Sequence, residues 1–263
     1  MQAFIWAPEL AVTKEAPQLG PSSCGATAVL NVLLALKWQP LPEEDEVNTA
    51  VSVRLRKPHA PLPEYLLSRS VAGTDHCDLI NGVTKLTDGG VCGRFFPMHP
   101  RKSLGLCGWI AGWINAGAVP VATLNLQRGV PGGQVIPDAW HHQMVYGVSE
   151  EGVFMTNPLA RTSFDVVQQQ LCSESLLLVR IADVVARYTD SDDFELLLGP
   201  RWAEMNTVLN IRQAICALRD RDYASVPSHI AIPARYQSGI TIFALKGSEA
   251  SLKLELEEEW PDH

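Results

Sequence analysis

The sequence predicts an α+β fold, and three observations carry that prediction. Helical apolar spacing and helix-terminus signals fill most of the first 90 residues. Apolar, β-branched runs separated by turn residues dominate from Val91 onward. The chain has 263 residues, 46% hydrophobic and 19% charged, enough for a sizeable core and far from the composition of disordered chains. Helices first and sheet second describe two halves that can face each other across a cleft.

Each element has its own reason. Gly20-Pro21-Ser22-Ser23 forms a turn, and Ser22 or Ser23 can cap a helix opening at Cys24. Ala28, Val29, Val32, Leu33 and Leu36 recur at helical spacing until Trp38-Gln39-Pro40-Leu41-Pro42 ends the run. Residues 43–57 read as a second helix, acidic in its first turn and basic in its last, which suits the dipole; Pro58 stops it. Shorter helices follow over 63–71 and 78–86, with Asp75-His76-Cys77-Asp78 as a loop and cap. Residues 91–98 form a strand, and 103–116 a helix whose Trp109 and Trp113 make a core stripe. Residues 119–126 are a buried strand. A Gly/Pro-rich loop over 127–137 leads into a strand at 140–148, which turns at Glu150-Glu151-Gly152 and returns as a hairpin over 153–157. A helix over 164–171 and a strand over 176–181 complete the main domain.

The Thr189-Asp190-Ser191-Asp192-Asp193 cluster marks a boundary, giving a main domain over 1–189 and a C-terminal α/β extension over 190–263. The extension carries a helix over 203–219, a run over 228–233, and a hairpin of 240–245 with 251–256 across Gly247-Ser248-Glu249. It is either an appended subdomain or extra strands on the main sheet.

Composition excludes several function classes. The net charge of −8 offers no basic footprint for nucleic acid or an anionic membrane. No run of about eighteen apolar residues predicts a membrane span, and Met1–Glu9 lacks the pattern of a signal peptide. The six cysteines (Cys24, Cys77, Cys92, Cys107, Cys172 and Cys216) contain no C-x-x-C pair, so reduced thiols in the cytoplasm are expected, with no metal and no cofactor. Cys92, Cys107, Cys172 and Cys216 sit in apolar patterns and read as structural.

Chemistry gathers at Cys24. A helix N-terminus leaves amide N–H groups unpaired and carries partial positive charge, which biases a thiol there toward thiolate. The strand beginning His141-His142 lies beside the end of its hairpin partner at Asn157, sixteen residues after His141. The Asn157 amide oxygen can then accept an imidazole N–H and fix the ring for a partner thiol. Gln18, six residues before Cys24, can donate toward a developing oxyanion beside the Cys24 N–H. Adjacent strand residues face opposite sides, so only one of His141 and His142 meets Cys24; spacing to Gly147 and Asn157 favours His141.

These residues resemble a papain-like cysteine peptidase. The Cys24-Gly25 start, the histidine strand reaching Gly147 six residues after His141, and Asn157-Pro158 look most like the C39-like branch. The resemblance spans roughly residues 15–180. It implies a papain-like fold, Cys24 as nucleophile, His141 as general acid/base, Asn157 as orienting residue and Gln18 as oxyanion donor. It implies hydrolysis of peptide or amide bonds in a peptide or protein substrate. Papain's tryptophans near its cysteine and asparagine have no counterpart here, so its subsites do not transfer. Two further readings share the fold: an acyltransferase or transamidase using the same Cys-His-Asn site, and a non-catalytic binding module.

Overall fold

A computed structural model describes residues 2–100 and 105–257. In chain order its elements are β1 (Ala3–Phe4), α1 (Pro8–Lys14), α2 (Cys24–Ala35), α3 (Glu44–Ala50), α4 (Leu62–Val71) and α5 (His76–Leu86). Then come β2 (Val91–Pro97), α6 (Leu106–Asn115), β3 (Val119–Asn125), β4 (Trp140–Ser149), β5 (Gly152–Met155), β6 (Ala160–Thr162) and α7 (Phe164–Leu171). The remainder is β7 (Leu176–Arg180), α8 (Ile181–Val185), α9 (Pro200–Glu204), α10 (Thr207–Arg219), β8 (His229–Pro233), β9 (Gly239–Leu245) and α11 (Glu249–Leu256). These strands pair antiparallel, which makes the fold α+β.

Two compact units share the chain. The larger takes the residues up to Arg54, Gly73–Glu174, and those from Tyr236 on; the smaller takes Leu55–Ala72 and Ser175–Arg235. This division departs from the expected boundary at 189/190. The 240–245 segment belongs to the larger unit because β9 inserts between β2 and β3 in the main sheet. In the smaller unit β7 pairs with β8, and Arg187 lies over the Tyr65 ring at 4.0 Å.

In the larger unit the sheet runs β2-β9-β3-β4-β5-β6, with β1 also beside β4. Period-two alternation sends Val121, Met144, Tyr146 and Phe243 to one face, against Val29, Val32 and Leu33 of α2 and Val47, Leu79 and Val83 of α3 and α5. Ala122, Leu124, Val145, Ile240 and Ile242 go to the other face, against Ile110 and Trp113 of α6, Leu171 of α7 and Leu254 of α11. Helices on both faces explain why every residue of β3 is buried. α2 is buried almost all round, so it is the central helix of its layer.

Three expected elements differ. The helix predicted over 43–57 stops at Ala50: Ser52 takes φ 52°, and Arg54 turns away to bridge Gly73 and pair with Asp78 at 2.7 Å. The helix predicted over 203–219 is two, α9 and α10, broken at Asn206 with φ 50°. The strand predicted over 251–256 is helix α11, so the terminal hairpin is corrected. Ser248 accepts from the Ser251 N–H as a side-chain cap. Of the alternating leucines, Leu254 is buried at 5% while Leu252 and Leu256 are 54% and 81% exposed, so one face of a helix, not of a strand, is covered. The start of the helix predicted over 103–116 falls partly outside the described residues.

Candidate active site

β4 is what brings the site together. It pairs with β3 over Trp140–Met144 and with β5 only from Val145 onward, so the edge of its first half is left for another element. The N-terminus of α2 is the element that meets it: the His142 backbone N–H donates to Cys24 Sγ.

Cys24 is the first residue of α2, and Ser23 occupies the cap position without a side-chain cap bond. The Ser23 hydroxyl turns back to the Pro21 carbonyl at 3.4 Å. The first-turn amides are thus not claimed by a capping side chain, and the Gly25 N–H also donates to Sγ. Gly25 has a packing reason to be glycine. A Cβ there would lie 1.9 Å from Thr74 Oγ1 and 2.9 Å from Leu79 Cδ2, so any side chain would push the helix start off its seat.

His141 hydrogen-bonds Cys24 through one ring nitrogen, while its Nε2 lies 2.6 Å from the main-chain oxygen of Asn157. Nδ1 is therefore the nitrogen left for the thiol. Burial opposes charge on Cys24, which is 6% exposed, but the hydrogen bond and positive charge of His141 outweigh it and hold the thiol below its ordinary range. Burial likewise opposes charge on His141; the Cys24 thiolate and the Asn157 carbonyl outweigh it and push the imidazole up. Each partner favours the ionised form of the other.

Asn157 orients the ring, though not by the expected atom. Its backbone is left-handed at φ 55°, a conformation asparagine tolerates better than most residues, and this aims the carbonyl rather than the side-chain oxygen at His141. Its side-chain Nδ2 donates instead to Gln18 Oε1 at 3.2 Å. Gln18 Nε2 donates to the Gly20 carbonyl at 3.0 Å, so this amide has one further N–H to offer.

His142 takes no part through its ring. It is fully buried, with Nδ1 at 3.0 Å from Thr123 Oγ1 and Nε2 at 2.9 Å from the Thr74 carbonyl. Burial pushes its pKa down to about 4, so the imidazole is neutral at physiological pH. Beside it, Trp140 stacks on Tyr236 at 5.7 Å with the planes 8° apart.

The structure thus brings Gln18, Cys24, His141 and Asn157 together, and it adds residues that sequence reasoning missed. The Glu15 carboxylate accepts the Asn157 backbone N–H at 3.1 Å. Gln143 donates to the Thr156 carbonyl at 2.8 Å and the Asn157 carbonyl at 3.2 Å. Gln143 follows His141 by two in a strand, which places both on one side, and that spacing was a usable signal. Glu15 carried none, because its partner is 142 residues away. Cys216, read as structural, is exposed. No helix among the described residues is long and apolar enough to cross a membrane. Neither a protein-family model nor a curated protein matches the chain.

Proposed function

We propose that the chain is a thiol hydrolase with a papain-like, C39-like arrangement that cleaves peptide or amide bonds through an acyl-enzyme on Cys24. The observation that carries this reading is the hydrogen-bonded Cys24–His141 pair at a helix N-terminus, with the second imidazole nitrogen anchored on Asn157. In the first half-reaction the thiolate attacks the carbonyl carbon. The oxyanion faces the Cys24 N–H and the remaining N–H of Gln18. His141 gives its Nδ1 proton to the leaving nitrogen as the C–N bond breaks. In the second, His141 takes a proton from water as the oxygen attacks the thioester. The C–S bond breaks, and the thiolate–imidazolium pair returns with release of the acid.

The test is chemical first. At about pH 6, iodoacetamide should label Cys24 ahead of Cys92, whose thiol burial pushes up, and Cys24→Ala should abolish the fast phase. Equal labelling of Cys24 and Cys92 would overturn the reading. Comparing N-terminal peptides from cells with active and Cys24→Ala protein then identifies the substrates. Acyl groups found on amines rather than as free acids would assign transfer instead of hydrolysis.

A further inference from the structure

Glu15 stands outside the reaction just described, yet its contacts close a ring around it. Glu15 ends α1, its N–H bonded to the Ala11 carbonyl at 3.0 Å. The next residues are fixed to the nucleophile's own helix. Buried Asn31, two turns after Cys24, accepts the Ala16 N–H at 2.8 Å and donates to the Ala16 carbonyl at 3.3 Å. Buried Thr27 accepts the Leu19 N–H at 3.1 Å. From this pinned strap two side chains reach the residue that orients the base: Glu15 accepts the Asn157 N–H at 3.1 Å, and Gln18 accepts the Asn157 Nδ2–H at 3.2 Å. Asn157 in turn accepts the His141 Nε2–H, and His141 meets Cys24.

We infer that Glu15 is a positioning residue for the Cys24–His141 pair, holding through Asn157 the main-chain carbonyl that sets the imidazole, with α2 as the common frame. The inference rests on the proposed thiol chemistry and adds a residue to it. The carbonyl that orients His141 belongs to a residue with left-handed backbone, and a peptide so placed keeps its direction only while its flanking groups are held. Glu15 holds the N–H side of that residue; Gln143 holds the carbonyl side. The need is for reach and an acceptor oxygen, not for charge. The titratable group facing Glu15 is Tyr146, pushed up by burial and secondarily by that carboxylate; those facing His141 are Cys24 and neutral His142.

Three variants separate these possibilities, read by the pH profile of Cys24 alkylation with iodoacetamide rather than by turnover. Glu15→Gln keeps length and an acceptor, and its profile should overlay the parent within about twofold in rate. Glu15→Ala loses the acceptor, and Glu15→Asp keeps charge but loses a methylene of reach. Both should alkylate about tenfold more slowly at about pH 6, with the midpoint moved up by about one pH unit. Parent-like profiles for Glu15→Ala and Glu15→Asp would overturn the inference. So would equal loss in Glu15→Gln and Glu15→Ala with Glu15→Asp unaffected, which would assign the effect to charge. If Glu15→Ala does not fold, Glu15→Asp against Glu15→Gln decides. A parent protein whose Cys24 is no faster than Cys92 is a different failure: it removes the thiol reading itself, and the inference with it.

Discussion

Replacing His142 by Gln should remove about one proton from the acid sensitivity of folding. In the folded chain this imidazole is fully buried between Thr123 and Thr74, and burial pushes its pKa from 6.5 to about 4. Unfolded, it titrates near the ordinary value. Between those two values the unfolded state binds more protons than the folded state, so stability is lost as pH falls from about 6.5 toward about 4 and is flat below. The full difference amounts to about 3 kcal/mol, because each pH unit of the gap is worth about 1.4 kcal/mol. Urea unfolding at steps between about pH 7 and about pH 4.5, with the slope m held common, measures it. The parent curve should fall more steeply than that of His142→Gln by up to about 1.4 kcal/mol per pH unit. Carboxylates titrate in both proteins and cancel in the difference. Parallel curves would refute the argument, since they would mean that His142 is hydrated or already charged in the folded state.

Other expectations follow from single contacts. Asn31→Ala leaves the Ala16 N–H and C=O without their buried partner and should cost about 2–5 kcal/mol in the same urea assay; a cost under about 0.5 kcal/mol would mean that the strap is not pinned there. Gly25→Ala, whose Cβ meets Thr74 Oγ1 at 1.9 Å, should cost about 1–3 kcal/mol and slow Cys24 alkylation, whereas unchanged values would place the helix start elsewhere. Ser248→Ala removes the cap of α11 and should cost about 1 kcal/mol, while Leu252→Lys on its exposed face should cost under about 0.5 kcal/mol; the reverse order in thermal unfolding would favour a strand there.

How much of this was legible depends on how local the cause is. The helix at Cys24, the buried strand over 119–125 and the hairpin that carries His141 follow from period, turn residues and apolar runs, which are properties of neighbouring residues. The last element misled because Ser251-Leu252-Lys253-Leu254-Glu255-Leu256 alternates like a strand, while the decisive facts are a serine cap and the burial of Leu254 but not of Leu252 or Leu256. The helix over 43–57 was cut short by tertiary contacts of Arg54, which no local pattern announces. At the site, residue types and spacing pointed to Cys24, His141, Asn157 and Gln18. The atoms did not follow from type: a backbone at φ 55° turned the Asn157 carbonyl, not its amide, toward the ring. Glu15 was invisible because its role exists only once distant segments meet.

The central claim is that Cys24 and His141 ionise each other. A difference titration of thiolate ultraviolet absorbance, parent minus Cys24→Ala, tests it directly, repeated in the His141→Ala background. The pair predicts a thiolate that appears at lower pH in the parent than in the His141→Ala background, with alkylation following the same curve in each. A thiolate that appears only near the ordinary cysteine range in the parent, or one that titrates identically with and without His141, would contradict it.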